Sequence, residues 1–161
     1  MTDDRTLRDL LARLLDWEDA HAGFDHAVEG IPPDARGTAP AGLPYSPWQL
    51  LEHLRRAQRD ILEFCVDAQY QERRWPDDYW PGAAAAPPDA AAWDGSVRQF
   101  REDRAALQRL AGDPSMDLTA AIPHGQGQTY LRELVLAADH CAYHVGELIV
   151  VRRLLGIWPA A

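Results

Sequence analysis

The segment from Thr129 to Leu155 is the feature that most constrains the fold of this chain. Its apolar residues recur at the three- and four-residue spacing of one helical face, and Gly156 follows where a helix would end. Arg152 and Arg153 lie in its last turn, where positive charge complements the helix dipole. The segment therefore predicts one long helix that packs against the rest of the protein. Its apolar stripe comprises Leu136, Ala137, Leu148, Val151 and Leu155.

Two histidines lie on this predicted helix, one turn apart. His140 and His144 are separated by about 40° around the helix axis and roughly 6 Å along it. At that spacing, both rings can present a neutral imidazole nitrogen to the same metal ion. A buried histidine pair that hydrogen-bonds to nearby carboxylates would show the same spacing. A metal site therefore needs a third ligand elsewhere in the chain.

Residues 5–29 are predicted to form the first helix, and Gly30 with the prolines that follow would end it. Leucines form an apolar stripe along the first half of this helix. The same face, continued past the leucines, carries Glu18, His21 and Asp25 and would point inward. Polar groups in that position need partners. We therefore favour a cavity at this end of the helix over a stripe that has simply reached solvent. The leucines are Leu7, Leu10, Leu11, Leu14 and Leu15.

The next two helices have specific start signals. Ser46, Pro47 and Gln49 form a capping box, which predicts a second helix that runs to about Gln71. Asp89 can cap a third helix over residues 90–111, which Gly112 and Pro114 would end. The predicted fourth helix is the 129–155 segment.

Residues 72–88 connect the second and third helices and are too rich in proline to form one regular element. Fully extended, they could span on the order of 55 Å. That length would let the chain run back along a helix of about 36 Å, so the second and third helices are predicted to be parallel. Residues 1–161 then form a single all-α domain, a four-helix bundle with one long crossover. Trp75, Tyr79 and Trp80 are expected to pin the crossover to the bundle surface.

Composition excludes several functional classes. The 161 residues carry a net charge of −9, which argues against partners such as nucleic acid or anionic membranes. No run approaches the roughly 18 apolar residues of a transmembrane helix. The N-terminal segment lacks the apolar stretch of a signal peptide. We therefore expect a cytoplasmic location.

His53, in the second turn of the second helix, is the candidate third ligand if the second and fourth helices are neighbours. Taken alone, a structural histidine in a helix seam is the favoured interpretation. Three histidines with an open position are typical of a catalytic metal site, whereas structural zinc sites usually have four ligands. Glu147 or Asp60 could orient a ligand imidazole, although solvent or arginines could satisfy both carboxylates instead.

Other kinds of site are absent from the sequence. It contains no glycine-rich phosphate loop, no Cys-x-x-Cys, no nucleophile elbow and no HExxH motif. Cys65 and Cys141 are expected to have packing roles, because an intracellular chain rarely needs a disulfide.

Three stretches, YSPWQLLEHLRRAQRDILEF, DHCAYHVGELIVVRRLLGIW and EDAHAGFDHAVEGIP, resemble the DinB-like (DinB/YfiT) superfamily of bacterial metalloenzymes. The resemblance implies an up-down-down-up bundle. It implies that His53, His140 and His144 bind a divalent metal, often zinc or nickel, with water completing the shell. It also implies frequent homodimers, and some relatives are thiol-dependent transferases or isomerases.

These observations leave three functions open. The first is a metal-dependent S-transferase, isomerase or hydrolase that acts on a small-molecule substrate, with a low-molecular-weight thiol as a candidate reactant. The second is a non-catalytic metal-binding or stress-related interaction bundle, and the third a metal-free structural bundle. For the enzyme, we expect His21 and Trp48 to line a pocket beside the metal, with Asp25, Glu147 and Tyr143 as further candidates.

Overall fold

The computed structural model describes residues 4–159. Within this range it contains five helices and no strand, apart from one isolated bridge between Ala121 and Thr129. The prediction of an all-α protein is confirmed. The helices are α1 (Asp4–Leu14), α2 (Phe24–Val28), α3 (Pro47–Val66), α4 (Ala90–Gly112) and α5 (Tyr130–Leu154).

The prediction of one helix over residues 5–29 is wrong, because the chain breaks between α1 and α2. A side chain added at Gly23 would meet Glu18 Oε1 at 2.5 Å, so Glu18 lies directly against the glycine. Arg104 of α4 forms ion pairs with both Asp16 and Asp25. In a continuous helix these two carboxylates, nine residues apart, would point about 180° away from each other. The break allows both of them to reach one guanidinium group.

The start of α3 is as predicted, but its end is not. Ser46 Oγ accepts a hydrogen bond from the Gln49 N–H, and Gln49 Oε1 accepts one from the Ser46 N–H, which completes the capping box. The helix ends at Val66 instead of Gln71. Asp67 leaves the helical conformation, and its carboxylate accepts the Gln69 N–H at 2.8 Å. A side chain that closes its own turn in this way competes with continued helix.

The central helix is α3, which packs most extensively against α4 and α5. Its Glu52 is only 4% exposed and accepts hydrogen bonds from Ser96 of α4 at 2.6 Å and from Arg55 at 2.8 and 2.9 Å. Burial alone would raise the pKa of Glu52. The hydrogen bonds from Arg55 and Ser96, with the charges of Arg55 and Arg56, hold that pKa below its ordinary value instead.

The order of contacts along the helices is regular. Residues of α3 contact residues of α4 in the same order along both helices. Residues of α1, and those just after it, contact α4 in the reverse order. The α3–α4 pairs are Glu52–Ser96, Gln58–Phe100 and Arg59–Asp103. The other pairs are Arg8–Asp113, Ala12–Gln108 and Asp16–Arg104.

The crossover, predicted over residues 72–88, spans residues 67–89 in the structure because α3 already ends at Val66. It runs back along α3. Arg73 pairs with Glu63 near the end of α3, Arg56 donates to the Trp80 carbonyl, and Ser46 at the start of α3 donates to the Ala85 carbonyl. Tyr79 and Trp80 pack against α3, as expected of pinning residues. Trp75, in contrast, is 70% exposed.

Helix α5 is long and apolar enough to cross a membrane by length and composition, and 44% of its apolar window is buried within the protein. The core helix of a soluble protein passes the same test. Here Leu134, Leu148 and Val151 of α5 are each about 1% exposed or less and lie in the two hydrophobic clusters of the core.

A pair of leucine substitutions tests this packing. Leu107 is fully buried in α4, whereas Leu10 of α1 is 47% exposed. Because a buried leucine leaves a cavity when truncated, we expect Leu107→Ala to lower the free energy of unfolding by about 2–5 kcal/mol. Leu10→Ala should lower it by less than about 1 kcal/mol. Denaturant unfolding measures both, and equal losses would contradict this core.

Candidate metal centre

Three histidines converge between α3 and α5. His53 lies in the second turn of α3, and His140 and His144 lie one turn apart on α5. The Nε2 atom of His53 is 3.1 Å from Nε2 of His144 and 3.1 Å from Nε2 of His140. His53 and His144 are buried, and His140 is half-buried. These three residues are here called the triad.

The opposite nitrogen of two triad rings faces an acceptor. His53 Nδ1 lies 3.2 Å from the backbone carbonyl oxygen of Tyr79, and His144 Nδ1 lies 2.6 Å from Glu147 Oε2. A carbonyl or an ionised carboxylate only accepts, so Nδ1 of each ring carries the proton. In its neutral form, each ring then presents an unprotonated Nε2 towards the other.

Two lone pairs that face each other at 3.1 Å repel unless a cation lies between them. A proton on Nε2 of His140 or of His144 would turn that ring's contact with His53 into a hydrogen bond, whereas one metal ion bound to all three rings would relieve both contacts at once. Nitrogens bound tetrahedrally to zinc at about 2.0–2.1 Å lie about 3.3–3.4 Å apart, close to the spacing found here. The donor set and its spacing therefore suit a metal ion, and the three histidines could bind one.

The electrostatics of the triad keep two of its rings neutral. Burial, and then the Coulomb interaction with His144, lowers the pKa of His53 to about 4. Burial, and then the charges of its two neighbouring histidines, lowers the pKa of His140 to about 3. Both rings are consequently unprotonated at pH 7, the form that a metal ion requires.

An aromatic wall from the crossover covers one side of the triad. The indole ring of Trp80 stacks on the imidazole of His53, with ring centroids 3.9 Å apart and planes within 5°. Tyr45 stacks on the same indole at 4.2 Å. This stack restricts rotation of the His53 ring.

Two of the predicted pocket residues contact the triad. Glu147 accepts the hydrogen bond from His144 described above. The ring of Tyr143, which is 64% exposed, meets His144 edge to face at 4.8 Å. Asp60, the other candidate partner for an imidazole, instead accepts hydrogen bonds from Tyr70 and Tyr79.

The structure gives the other three predicted pocket residues different surroundings. His21 is exposed and lines a cavity of about 410 Å³ beside Cys141, and no triad histidine is among the residues that line it. Trp48 is 6% exposed and belongs to the hydrophobic core. Asp25 pairs with Arg101 and Arg104. The expectation for His21 and Asp25 came from a first helix that continued to residue 29, and the break after α1 removes that basis.

Sequence reasoning also missed the closest partners of His53. The Tyr79 carbonyl is a backbone group, which every residue carries, so no residue type marks it. Trp80 was expected only to hold the crossover to the surface. The proline-rich length of the crossover was the one available signal, because it predicted a segment that runs back past His53.

Replacing a triad histidine should remove the metal without unfolding the protein. We expect His140→Ala to lose most bound divalent metal while keeping its helical circular dichroism, because the core around α5 is mostly aliphatic. His21→Ala is the matched control and should keep its metal. Metal content by mass spectrometry, on protein purified without a histidine tag, measures both. Equal metal in wild type and His140→Ala would contradict the triad.

The lowered pKa of His53 makes stability depend on pH in the metal-free protein. Below its ordinary pKa of 6.5, this ring takes up a proton in the unfolded chain, but in the folded chain it does so only near pH 4. The free energy of unfolding should therefore fall as pH drops from about 6.5 to 4. We expect a smaller fall for His53→Gln, measured by denaturant unfolding with a chelator present. Parallel pH profiles for the two proteins would contradict the lowered pKa.

Comparison with known proteins gives one match. A sequence profile of the DinB superfamily matches residues 16–148, from the break after α1 into the second half of α5. No curated protein and no solved structure matches the chain. The matched span covers most of the sequence and includes all three histidines of the triad, and this protein belongs to the DinB superfamily.

Proposed function

We propose that this protein is a divalent-metal-dependent enzyme in which His53, His140 and His144 hold one ion and leave a fourth position open. The observation that carries the proposal is the convergence of three Nε2 atoms, with that of His53 lying 3.1 Å from those of His140 and His144. The DinB superfamily is generally metal-binding, which agrees with this arrangement. Three protein ligands with one open position are the usual composition of a catalytic zinc site. Imidazole ligands suit zinc and nickel, so these are the proposed metals.

The chain's own residues prepare the site. Glu147 and the Tyr79 carbonyl hold the Nδ1 protons of His144 and His53, which keeps both Nε2 atoms free for a metal. Trp80 excludes water from one face of His53. His140 is the one partly exposed ring, so a reactant would enter on its side. When bound there, a divalent ion supplies a Lewis acid that lowers the pKa of an oxygen or sulfur group placed against it.

The proposed reaction is a transfer or isomerisation that uses a low-molecular-weight thiol from solution, with hydrolysis of a small substrate as the related possibility. Resemblance to the superfamily suggests this class, and the chemistry of the cysteines agrees with it. Burial raises the pKa of Cys65 and of Cys141 to about 12. Both thiols stay protonated at pH 7 and are poor nucleophiles, so a sulfur nucleophile would come from outside the chain.

The proposed topology is the up-down-down-up bundle, formed by α1, α3, α4 and α5. Contacts of α4 run in the same order along α3 and in reverse order along α1. His53 near the start of α3 contacts His144 in the second half of α5, while Phe64 near the end of α3 contacts His124, just before α5. These pairings support α3 and α4 as the parallel pair.

We also propose a cytoplasmic homodimer. Tyr143, Val150 and Leu154 are 64%, 45% and 59% exposed, and their spacing places them within about 40° of one another on α5. An apolar face of this kind suits a second copy of the chain. The net charge of −9 argues against nucleic acid and anionic membranes as partners.

Thiol-dependent turnover tests the proposed chemistry. We expect metal-loaded protein to accelerate the reaction of cysteine or glutathione with an electrophilic acceptor, and His140→Ala or chelated protein to lose at least about tenfold of that rate. Cys141→Ser should keep it, because the reacting thiol comes from solution. The readout is the loss of free thiol over time. Bound metal without turnover for any thiol or hydrolysable substrate would favour the non-catalytic metal-binding bundle instead.

A further inference from the structure

We infer that Tyr79 and Asp60 are positioning residues of the metal centre: together they hold the crossover so that the Tyr79 carbonyl fixes the ring of His53. This inference rests on the proposed metal site and adds to it a set of residues outside the triad. The crossover would then serve the metal centre by positioning His53, besides connecting α3 to α4.

The first step is an anchor on α3. Asp60 lies two turns after His53 and is only 8% exposed. Its carboxylate accepts hydrogen bonds from the Tyr79 hydroxyl at 2.6 Å and the Tyr70 hydroxyl at 2.9 Å, and it pairs with Arg73 at 3.0 Å. All three partners belong to the crossover. One buried carboxylate on α3 therefore holds the crossover at three points.

The second step leads from the anchor to the triad. The residue that donates its hydroxyl to Asp60 also presents its backbone carbonyl to His53 Nδ1, at 3.2 Å. The next residue, Trp80, stacks on the His53 ring, and its carbonyl accepts a hydrogen bond from Arg56 at 2.8 Å. Tyr79 is consequently held at both ends, by its side chain on Asp60 and by its backbone on His53.

The third step concerns what the carbonyl does to the ring. It holds the proton on Nδ1, so that Nε2 stays free and points towards the other two histidines. If the carbonyl moved away, the proton could settle on Nε2, where it would block a metal ligand. Hydrogen-bond partners of this kind typically change metal affinity by about 10–100-fold when they are lost.

Tyr70 offers a matched control. Tyr70 lies on the same crossover, and its hydroxyl donates to the same carboxylate, that of Asp60. Burial, and then the hydrogen bond to Asp60, raises the pKa of Tyr70 and of Tyr79 alike. The ring of Tyr70 instead contacts Phe64 and His124, well along α3 from His53. Loss of either hydroxyl weakens the anchor, but only Tyr79 connects that anchor directly to the triad.

The experiment compares Tyr79→Phe, Tyr70→Phe and Asp60→Asn with wild type. Zinc affinity is measured by competition with a chromophoric chelator, and the ligand field is followed in the visible spectrum of the cobalt-substituted protein. We expect Tyr79→Phe and Asp60→Asn to bind zinc at least about tenfold more weakly, with a shifted cobalt spectrum. Tyr70→Phe should stay within about twofold of wild type, because the carbonyl that faces His53 belongs to Tyr79 and the Tyr70 ring contacts Phe64 and His124 instead.

A second readout needs no metal. Nitrogen-15 chemical shifts of the imidazoles in metal-free protein report which nitrogen carries the proton. We expect His53 to be protonated on Nδ1 in wild type and in Tyr70→Phe, and to show a mixture of both tautomers in Tyr79→Phe.

The possible outcomes separate the two proposals. Equal effects of Tyr79→Phe and Tyr70→Phe on zinc affinity and on the His53 tautomer would overturn the inference, because the anchor would then act on structure alone. A wild-type protein that binds no metal would overturn the proposed function, while the nitrogen-15 shifts would still decide whether Tyr79 positions His53.

Discussion

The metal centre and the fold around it depend on how α3 satisfies its buried polar groups. Glu52, immediately before His53, is a buried carboxylate that needs several donors, and it obtains them from Ser96 of α4 and from Arg55 and Arg56 of its own helix. Arg56 then reaches the carbonyl of Trp80 in the crossover. An unpaired buried charge is strongly destabilising, so these contacts place α4 and the crossover relative to α3. The position of His53 between α5 and Trp80 follows from that placement.

Features that depend on neighbouring residues could be predicted from the sequence. The capping box needs only Ser46 and Gln49, and the shared face of His140 and His144 needs only helical spacing. Their proximity to His53 needed one further step, the length of the crossover, which implied how the helices are ordered. For that reason the all-α fold and the convergence of the three histidines could be predicted from the sequence.

Features that depend on distant contacts could not be predicted in the same way. The break after α1 lets Asp16 and Asp25 share Arg104, which lies 88 and 79 residues away along the chain. The apolar periodicity of the first leucines carries no sign of that pairing. A helix drawn through the break brought His21 towards the metal, and the cavity that His21 lines is in fact formed with the face of α5 that carries Cys141 and Val145.

The separation of the triad along the chain has a consequence for when the site can form. His53 and His144 are 91 residues apart, and two of the three triad histidines lie on α5. During synthesis on the ribosome, α1 to α4 and the crossover emerge while only one imidazole of the triad, that of His53, is available. High-affinity capture of an ion therefore waits until α5 has emerged and docked. Uptake of metal by this protein is in that sense a signal that α5 has been synthesised and has docked on the other helices.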